Sequence, residues 1–257
     1  MEQGICLLTI IPLRREPSEK SEMVSQMLFG EVYEIIEKTS AWYKIITEFD
    51  QYSGWMDKKM FSPVSGEYYE RLGQGGYTVT RSVTAELLSS NQTTYTITAG
   101  STIGYARSDG MTEMDSLLYR LIDQSPEFLT DHPVSLIDTA QRYLHSPYLW
   151  GGRTPFGYDC SGFTQMVFKI NGTRLPRDAW QQAAIGMPVQ QIQELTAGDL
   201  VFFANEENKV VHVGFAIPPD HIIHCSGMVR IDVLDDKGIF NKQLNQYTHR
   251  LYSMRRV

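Results

Sequence analysis

The sequence predicts an α+β protein, with two small β-barrels ahead of a domain in which helices precede strands. Three observations carry this. Residues 1–62 break into short β-branched and aromatic runs separated by turn formers, and residues 63–127 repeat that texture. From about residue 128 apolar residues take up helical spacing, and beyond Gly198 the pattern returns to strands.

In the first segment, Ile5 to Ile11, Val32 to Ile36, Trp42 to Ile46 and Gly54 to Met56 are expected strands. Pro17-Ser18-Glu19-Lys20, Phe29-Gly30-Glu31 and Asp50-Gln51-Tyr52-Ser53 are the turns between them. The series Pro12-Leu13-Arg14, Gly30-Glu31, Trp42-Tyr43-Lys44-Ile45 and Gly54-Trp55-Met56 resembles a bacterial SH3-like domain. In the second segment Tyr77 to Thr80, Thr94 to Ile97 and Thr102 to Ala106 are expected strands, giving a degenerate barrel of the same kind. A helix over Glu113 to Asp123 is the rival reading there.

In the third segment the spacing of Leu136, Ile137, Ala140 and Leu144 predicts a helix over Val134 to Leu144, stopped by Pro147. Phe163, Met166, Val167 and Ile170 mark a second helix that ends at Asn171-Gly172, and Asp178 to Ile185 a short third. The expected strands are Asp199 to Phe203, Val210 to Ile217, His221 to Cys225, Val229 to Leu234 and Leu251 to Val257.

Composition narrows the function. The chain of 257 residues has a net charge of −7 and no basic stripe, which argues against a nucleic-acid partner. No apolar run reaches the roughly 18 residues of a membrane span. Three cysteines at irregular spacing do not make a disulfide framework, so at least one thiol is free. Neither a phosphate loop nor a metal-ligand spacing is present, and no cofactor or metal is expected.

One thiol stands out. Asp159 is a good N-cap and would set Cys160 in the first turn of the second helix, where the free N–H groups favour a thiolate. The alternative is an inert buried cysteine. His212 tips the balance, because it alternates with valines and Phe215 in a strand joined to His221–His224 by a tight turn. Residues 212 and 224 differ by an even number, so in a hairpin they share a face, about 5–8 Å apart. Cys160 would attack, His212 would accept and return its proton, and His224 would orient His212. An Asp159 carboxylate beside Cys160 opposes the helix effect. Cys225 and Cys6 are expected in cores.

Six segments in order carry a further resemblance. They are Tyr148-Leu149-Trp150-Gly151-Gly152, Asp159-Cys160-Ser161-Gly162-Phe163, Pro176-Arg177-Asp178-Ala179, Ala197 to Phe203, His212-Val213-Gly214 and His224. Over residues 131–257 the chain resembles the NlpC-type papain-like cysteine peptidases. The resemblance implies Cys160, His212 and His224 as catalytic residues, with the Tyr148 phenol beside the thiolate as an oxyanion donor. The barrel ahead of the peptidase resembles a subgroup of γ-D-glutamyl–diamino-acid endopeptidases that prefer a free N-terminal L-Ala. That implies substrate contacts from Asp159, Ser161 and Asp178. Glu22 and Tyr52 are the candidates from the barrel, with solvated surface side chains the equal alternative.

The expected function is hydrolysis of the bond between γ-D-Glu and Lys or diaminopimelate in murein peptides, releasing L-Ala-γ-D-Glu. The alternatives are a hydrolase of intact wall with the barrels as anchors, and an inactive wall-binding protein. A monomer is the expectation. The cytoplasm is the expected location, or the periplasm or cell envelope if a leader has been removed.

Overall fold

Alternating apolar runs give strands throughout the chain, and the computed structural model describes residues 2–122 and 135–257. Residues 2–122 belong to one unit and residues 135–257 to another. Ser125, Pro126, His132, Val134 and the expected boundary at 127/128 lie outside the described residues.

The first unit opens with β1 (Glu2–Ile5), β2 (Ile10–Arg14), β3 (Met23–Leu28), β4 (Val32–Lys38), β5 (Trp42–Thr47) and β6 (Ser53–Asp57). They form a six-stranded antiparallel sheet in the order β1-β4-β5-β6-β2-β3. Alternate side chains, among them Ile11, Leu13, Met27, Tyr33, Ile45 and Met56, close its core together with Cys6. The expected single strand from Ile5 to Ile11 is in fact two. Cys6 exchanges backbone bonds with Glu31 and Gly30, and this breaks the run as the chain passes from the edge strand β1 to β2, between β6 and β3.

Helix α1 (Gly66–Gly73) follows, with Ser65 as its N-cap and Tyr68 and Leu72 as its buried stripe. Then come β7 (Thr84–Ser89), β8 (Thr94–Thr98), β9 (Tyr105–Ala106), β10 (Thr112–Met114) and β11 (Leu117–Leu121), ordered β8-β7-β11-β10-β9. The rival helix over 113–123 is overturned within the described residues, where a hairpin pairs Thr112 with Tyr119. Tyr77 to Thr80 supplies only an isolated bridge from Val79 to Thr102. The second sheet shares its core with the first: Ile5, Phe29 and Val32 pack with Leu72, Leu87, Ile97, Ile103 and Tyr119.

The second unit begins with α2 (Leu136–Gln141), capped by Ser135, and a small hairpin, β12 (Arg153–Thr154) and β13 (Gly157–Tyr158). Helix α3 (Cys160–Ile170) is buried along its whole length. It ends where Gly172, at φ +83°, and Thr173 return hydrogen bonds to Lys169 and Phe168. Helix α4 (Ala179–Gln182) is shorter than the expected 178–185.

The remaining strands are β14 (Met187–Val189), β15 (Leu200–Ala204), β16 (Val210–Ile217), β17 (His221–Ser226), β18 (Met228–Leu234), β19 (Gly238–Asn241) and β20 (Gln246–Arg256). Their order is β14-β20-β15-β16-β17-β18-β19, and β19 also pairs with β20, so β15 to β20 close on themselves. Val201, Phe203, Ala216, Ile222, Leu234, Ile239 and Met254 cluster on one face of this ring. By the two-residue period of a strand, His212, His224 and Asp232 lie on that same face. The opposite face meets α3, where Phe163 and Phe168 pack on Phe215 at ring distances of 5.9 and 5.7 Å. Among the described residues no helix is long and apolar enough to cross a membrane.

Candidate active site

The start of α3 is fixed by Asp159. One carboxylate oxygen accepts the Gly162 N–H at 2.6 Å and the other accepts the Gly151 N–H at 2.9 Å. Gly151 sits at φ +75°, and a Cβ on Gly162 would lie 2.1 Å from the Gly152 carbonyl oxygen, so the helix start packs directly on this glycine loop. Arg177 forks onto the same carboxylate at 3.0 and 2.6 Å and also donates to the Ser161 hydroxyl at 3.0 Å. Its side chain is 1% exposed. The buried Asp159 charge is therefore answered by a buried guanidinium, which relieves the conflict the sequence poses between Asp159 and Cys160.

Cys160 lies against β16. The strands β16 and β17 pair from Ile217–His221 as far as Gly214–His224 and then part. Beyond that point the Cys160 Sγ lies 3.9 Å from the Val211 carbonyl oxygen, and the Val213 and Ser161 N–H groups are directed to it. The sulfur thus sits against the backbone on both sides of His212. Burial, with a smaller contribution from Asp159, pushes the thiol up to about 12 despite those N–H groups and Arg177. The sequence leads one to expect the helix start to favour the thiolate. Desolvation outweighs it here, and the resting group is a thiol.

His212 Nε2 and His224 Nδ1 are 2.8 Å apart, which the parting of the strands permits because the two residues are diagonal rather than directly paired. On its other side His224 Nε2 lies 3.1 Å from Asp232 Oδ2. Burial alone would raise the Asp232 carboxyl, but hydrogen bonds from His224 and Arg230 hold it below the ordinary carboxylate range. Arg230 grips it at 2.8 and 3.0 Å. Burial, reinforced by the neighbouring imidazoles His224 and His249, holds His212 well below the usual histidine range. Burial also lowers His224, against the pull of Asp232.

These contacts dictate the tautomers. A carboxylate can only accept, so a neutral His224 carries its proton on Nε2 and presents a lone pair at Nδ1. His212 must then donate from Nε2, which leaves the Nδ1 lone pair of His212 free to act as a base. Asp232 and Arg230 have no signal as single residues. The parity that links 212 to 224 would also have linked 224 to 232, eight residues apart across the turn at Gly227.

Tyr148 is half-buried, its N–H bonded to the Gly227 carbonyl at 2.9 Å. Burial, then charge at Cys160 and Asp159, opposes ionisation of its phenol, which stays a donor near both groups. Ser161 is buried between Arg177 and Asp159. Asp178 precedes α4, and its backbone N–H donates to Gln181 Oε1 at 3.0 Å. Glu22 and Tyr52 belong to the other unit, where Glu22 pairs with Arg15 at 2.9 Å and the Tyr52 N–H donates to Thr47 Oγ1 at 3.0 Å. Cys225 and Cys6 are fully buried in their cores. Among the described residues no group of His, Cys, Asp and Glu is arranged to hold a metal ion.

Comparison with known proteins places these features. Residues 145–248 match the NlpC/P60 family, and residues 13–60 match the bacterial dipeptidyl-peptidase SH3 domain. A Bacillus cereus protein named gamma-D-glutamyl-L-lysine dipeptidyl-peptidase is 27% identical over 229 residues, which is 79% of this chain and 67% of that protein. A Bacillus subtilis protein of the same name is 46% identical over 91 residues, 35% of this chain and 30% of its own length. The chain thus spans two thirds of the first relative and under a third of the second. The crystal structure of an NlpC/P60 family protein from Bacillus cereus superposes with a TM-score of 0.78 at 19% identity, covering 99% of each chain, which shows the fold.

Proposed function

We propose that the protein is a cysteine peptidase for murein peptides, a reading supported by the match of residues 145–248 to the NlpC/P60 family and of residues 13–60 to the bacterial dipeptidyl-peptidase SH3 domain. Its bond is the one between γ-D-Glu and a following Lys or diaminopimelate, and its product is L-Ala-γ-D-Glu. The single observation that carries the chemistry is the chain from Asp232 through His224 to His212, which ends on a free lone pair beside the strand edge where the Cys160 sulfur rests.

The steps follow from that chain. His212 Nδ1 takes the thiol proton as Sγ bonds to the γ-carbonyl carbon, and the resulting imidazolium is stabilised by its Nε2–H bond to His224, which Asp232 holds in turn. The oxyanion is met by the Tyr148 phenol and the Cys160 N–H. The tetrahedral centre collapses by expelling the diamino-acid amine, which leaves with the proton from His212. Water, deprotonated by the same nitrogen, then cleaves the thioester and restores the thiol. Burial that keeps thiol and imidazole neutral at rest fits proton transfer during attack rather than a standing ion pair.

Within the second unit Asp178 is assigned to the free amine of L-Ala, whereas Asp159 and Ser161, already engaged by Arg177, hold the helix start in place. The names of the two Bacillus relatives support the substrate class. A soluble peptide with a free amine end suits an enzyme working in the cytoplasm. The test is incubation with L-Ala-γ-D-Glu-L-Lys, its diaminopimelate counterpart, their N-acetylated forms and purified sacculi. Release of L-Ala-γ-D-Glu from the free-amine peptides alone is the expected result. Lysis of sacculi with indifference to acetylation would instead make the protein a wall hydrolase, and equal inertness of wild type and Cys160→Ala would end the peptidase reading.

A further inference from the structure

A single hydrogen bond to His224 fixes one nitrogen of His212 but leaves its ring plane to be set by something else. The structure supplies it from β20. This strand bulges twice, once against β15, where Phe202 pairs with Ser253 but Phe203 with Leu251, and once against β19, where Ile239 pairs with His249 but Phe240 with Tyr247. Bulges re-aim side chains. Here they bring the His249 imidazole flat against His212, with centroids 4.1 Å apart and planes at 27°.

Three further residues hold this stack. Phe203 meets both rings, at 5.8 and 5.9 Å. His224 stands nearly perpendicular to both, at 86° and 82°. His249 Nδ1 lies 2.9 Å from Thr248 Oγ1. Behind it, Gly238 sits at φ +140°, and a Cβ there would lie 1.8 Å from the His249 carbonyl oxygen, so the bulged backbone has no room to drift.

We propose that His249 is a positioning residue for His212: its stacked ring fixes the plane of the base so that the Nδ1 lone pair is held towards Cys160. This rests on the peptidase reading above. The groups that face His249 are His212, His224 and Asp232, the last paired to Arg230. Burial, then His224, lowers His249 to about 4, so near neutral pH it stacks without adding charge beside the base.

The test compares full-length wild type with His249→Ala, His249→Gln and His249→Phe, all checked by thermal melts. With L-Ala-γ-D-Glu-L-Lys, Ala and Gln are expected to lower kcat tenfold or more with KM within about twofold. Phe, which keeps a planar ring, returns kcat to within about threefold of wild type. If the Ala variant does not fold, Gln against Phe carries the comparison. A second readout needs no substrate: iodoacetamide labelling of Cys160, with Cys225 and Cys6 as internal controls, slows in Ala and Gln but not in Phe. The proposal is overturned if kcat and labelling stay within twofold of wild type in Ala and Gln, or if Phe is as slow as Ala. A wild type that hydrolyses nothing, yet whose Cys160 labelling follows this pattern, contradicts the peptidase reading and leaves the role of His249 standing.

Discussion

At the scale of single residues the decisive group is Asp232, because it alone in the chain to Cys160 is restricted to accepting. In Asp232→Asn, the remaining oxygen keeps the hydrogen bond that Arg230 Nη2 gives Oδ1, and the NH2 takes the Oδ2 position facing His224 Nε2. His224 then carries its proton on Nδ1 and donates to His212, whose own proton moves to Nδ1, where the base is needed. A kcat loss of about a hundredfold or more is expected, with KM little changed; the comparable substitution in the serine-protease triad costs roughly 10⁴. A loss under threefold would show that the tautomers are set elsewhere. The places of Cys160 at a helix start and of His212 and His224 in neighbouring strands were legible because each lies in an expected element. Arg177 stands in a recognised segment, but its pairing with Asp159 joins residues 18 apart through a loop, which no periodicity reports.

At the scale of elements, the site depends on β16 and β17 parting where they do. Gly214 is the last paired residue of β16, opposite His224. A Cβ there would lie 2.7 Å from the His224 Cβ and 2.8 Å from the Ile223 carbonyl oxygen, so Gly214→Ala has to push β17 away. The expected result is a loss of at least tenfold in kcat with a far smaller effect on KM, measured with the same tripeptide; unchanged kcat would show that the His212–His224 contact tolerates the shift. Strand β16 was legible because Val211, Val213, Phe215 and Ile217 alternate with His212, Gly214 and Ala216. The bulges of β20 were not, since an inserted residue inverts the parity that such reading relies on, and His249 fell outside the expected strand, which began only at Leu251. Helix α1 went unread because eight residues with two buried side chains leave too short a stripe beside strands of similar texture.

At the scale of the whole molecule, acid should loosen the second unit before the chemistry of any single step is considered. His212, His224 and His249 are all lowered in the fold relative to the ordinary value of 6.5. Above that value neither the folded nor the unfolded state is protonated at these rings. Below it the unfolded chain gains protons that the native state refuses, so their contribution to stability is lost as pH falls from 6.5 towards 4. Asp232 and Asp199, both held low, add a loss of the same sign at lower pH. Urea midpoints measured from pH 7.5 down to 4.5 should therefore fall, by the equivalent of a few kcal/mol over that range. In His249→Phe the fall is expected to be shallower, and identical slopes would contradict the assignment. The α+β class was legible from texture alone, whereas the sharing of one core by the two N-terminal sheets was not, because Phe29 reads as a turn residue and Val32 as an ordinary strand residue of the first barrel.

The most direct measurement is mass spectrometry of the protein quenched during turnover of L-Ala-γ-D-Glu-L-Lys, followed by peptide mapping. An L-Ala-γ-D-Glu acyl group carried on Cys160, absent in Cys160→Ala and not accumulating in His212→Ala, is the expected result. Hydrolysis that proceeds undiminished without Cys160, or an adduct on any other residue, would contradict the account.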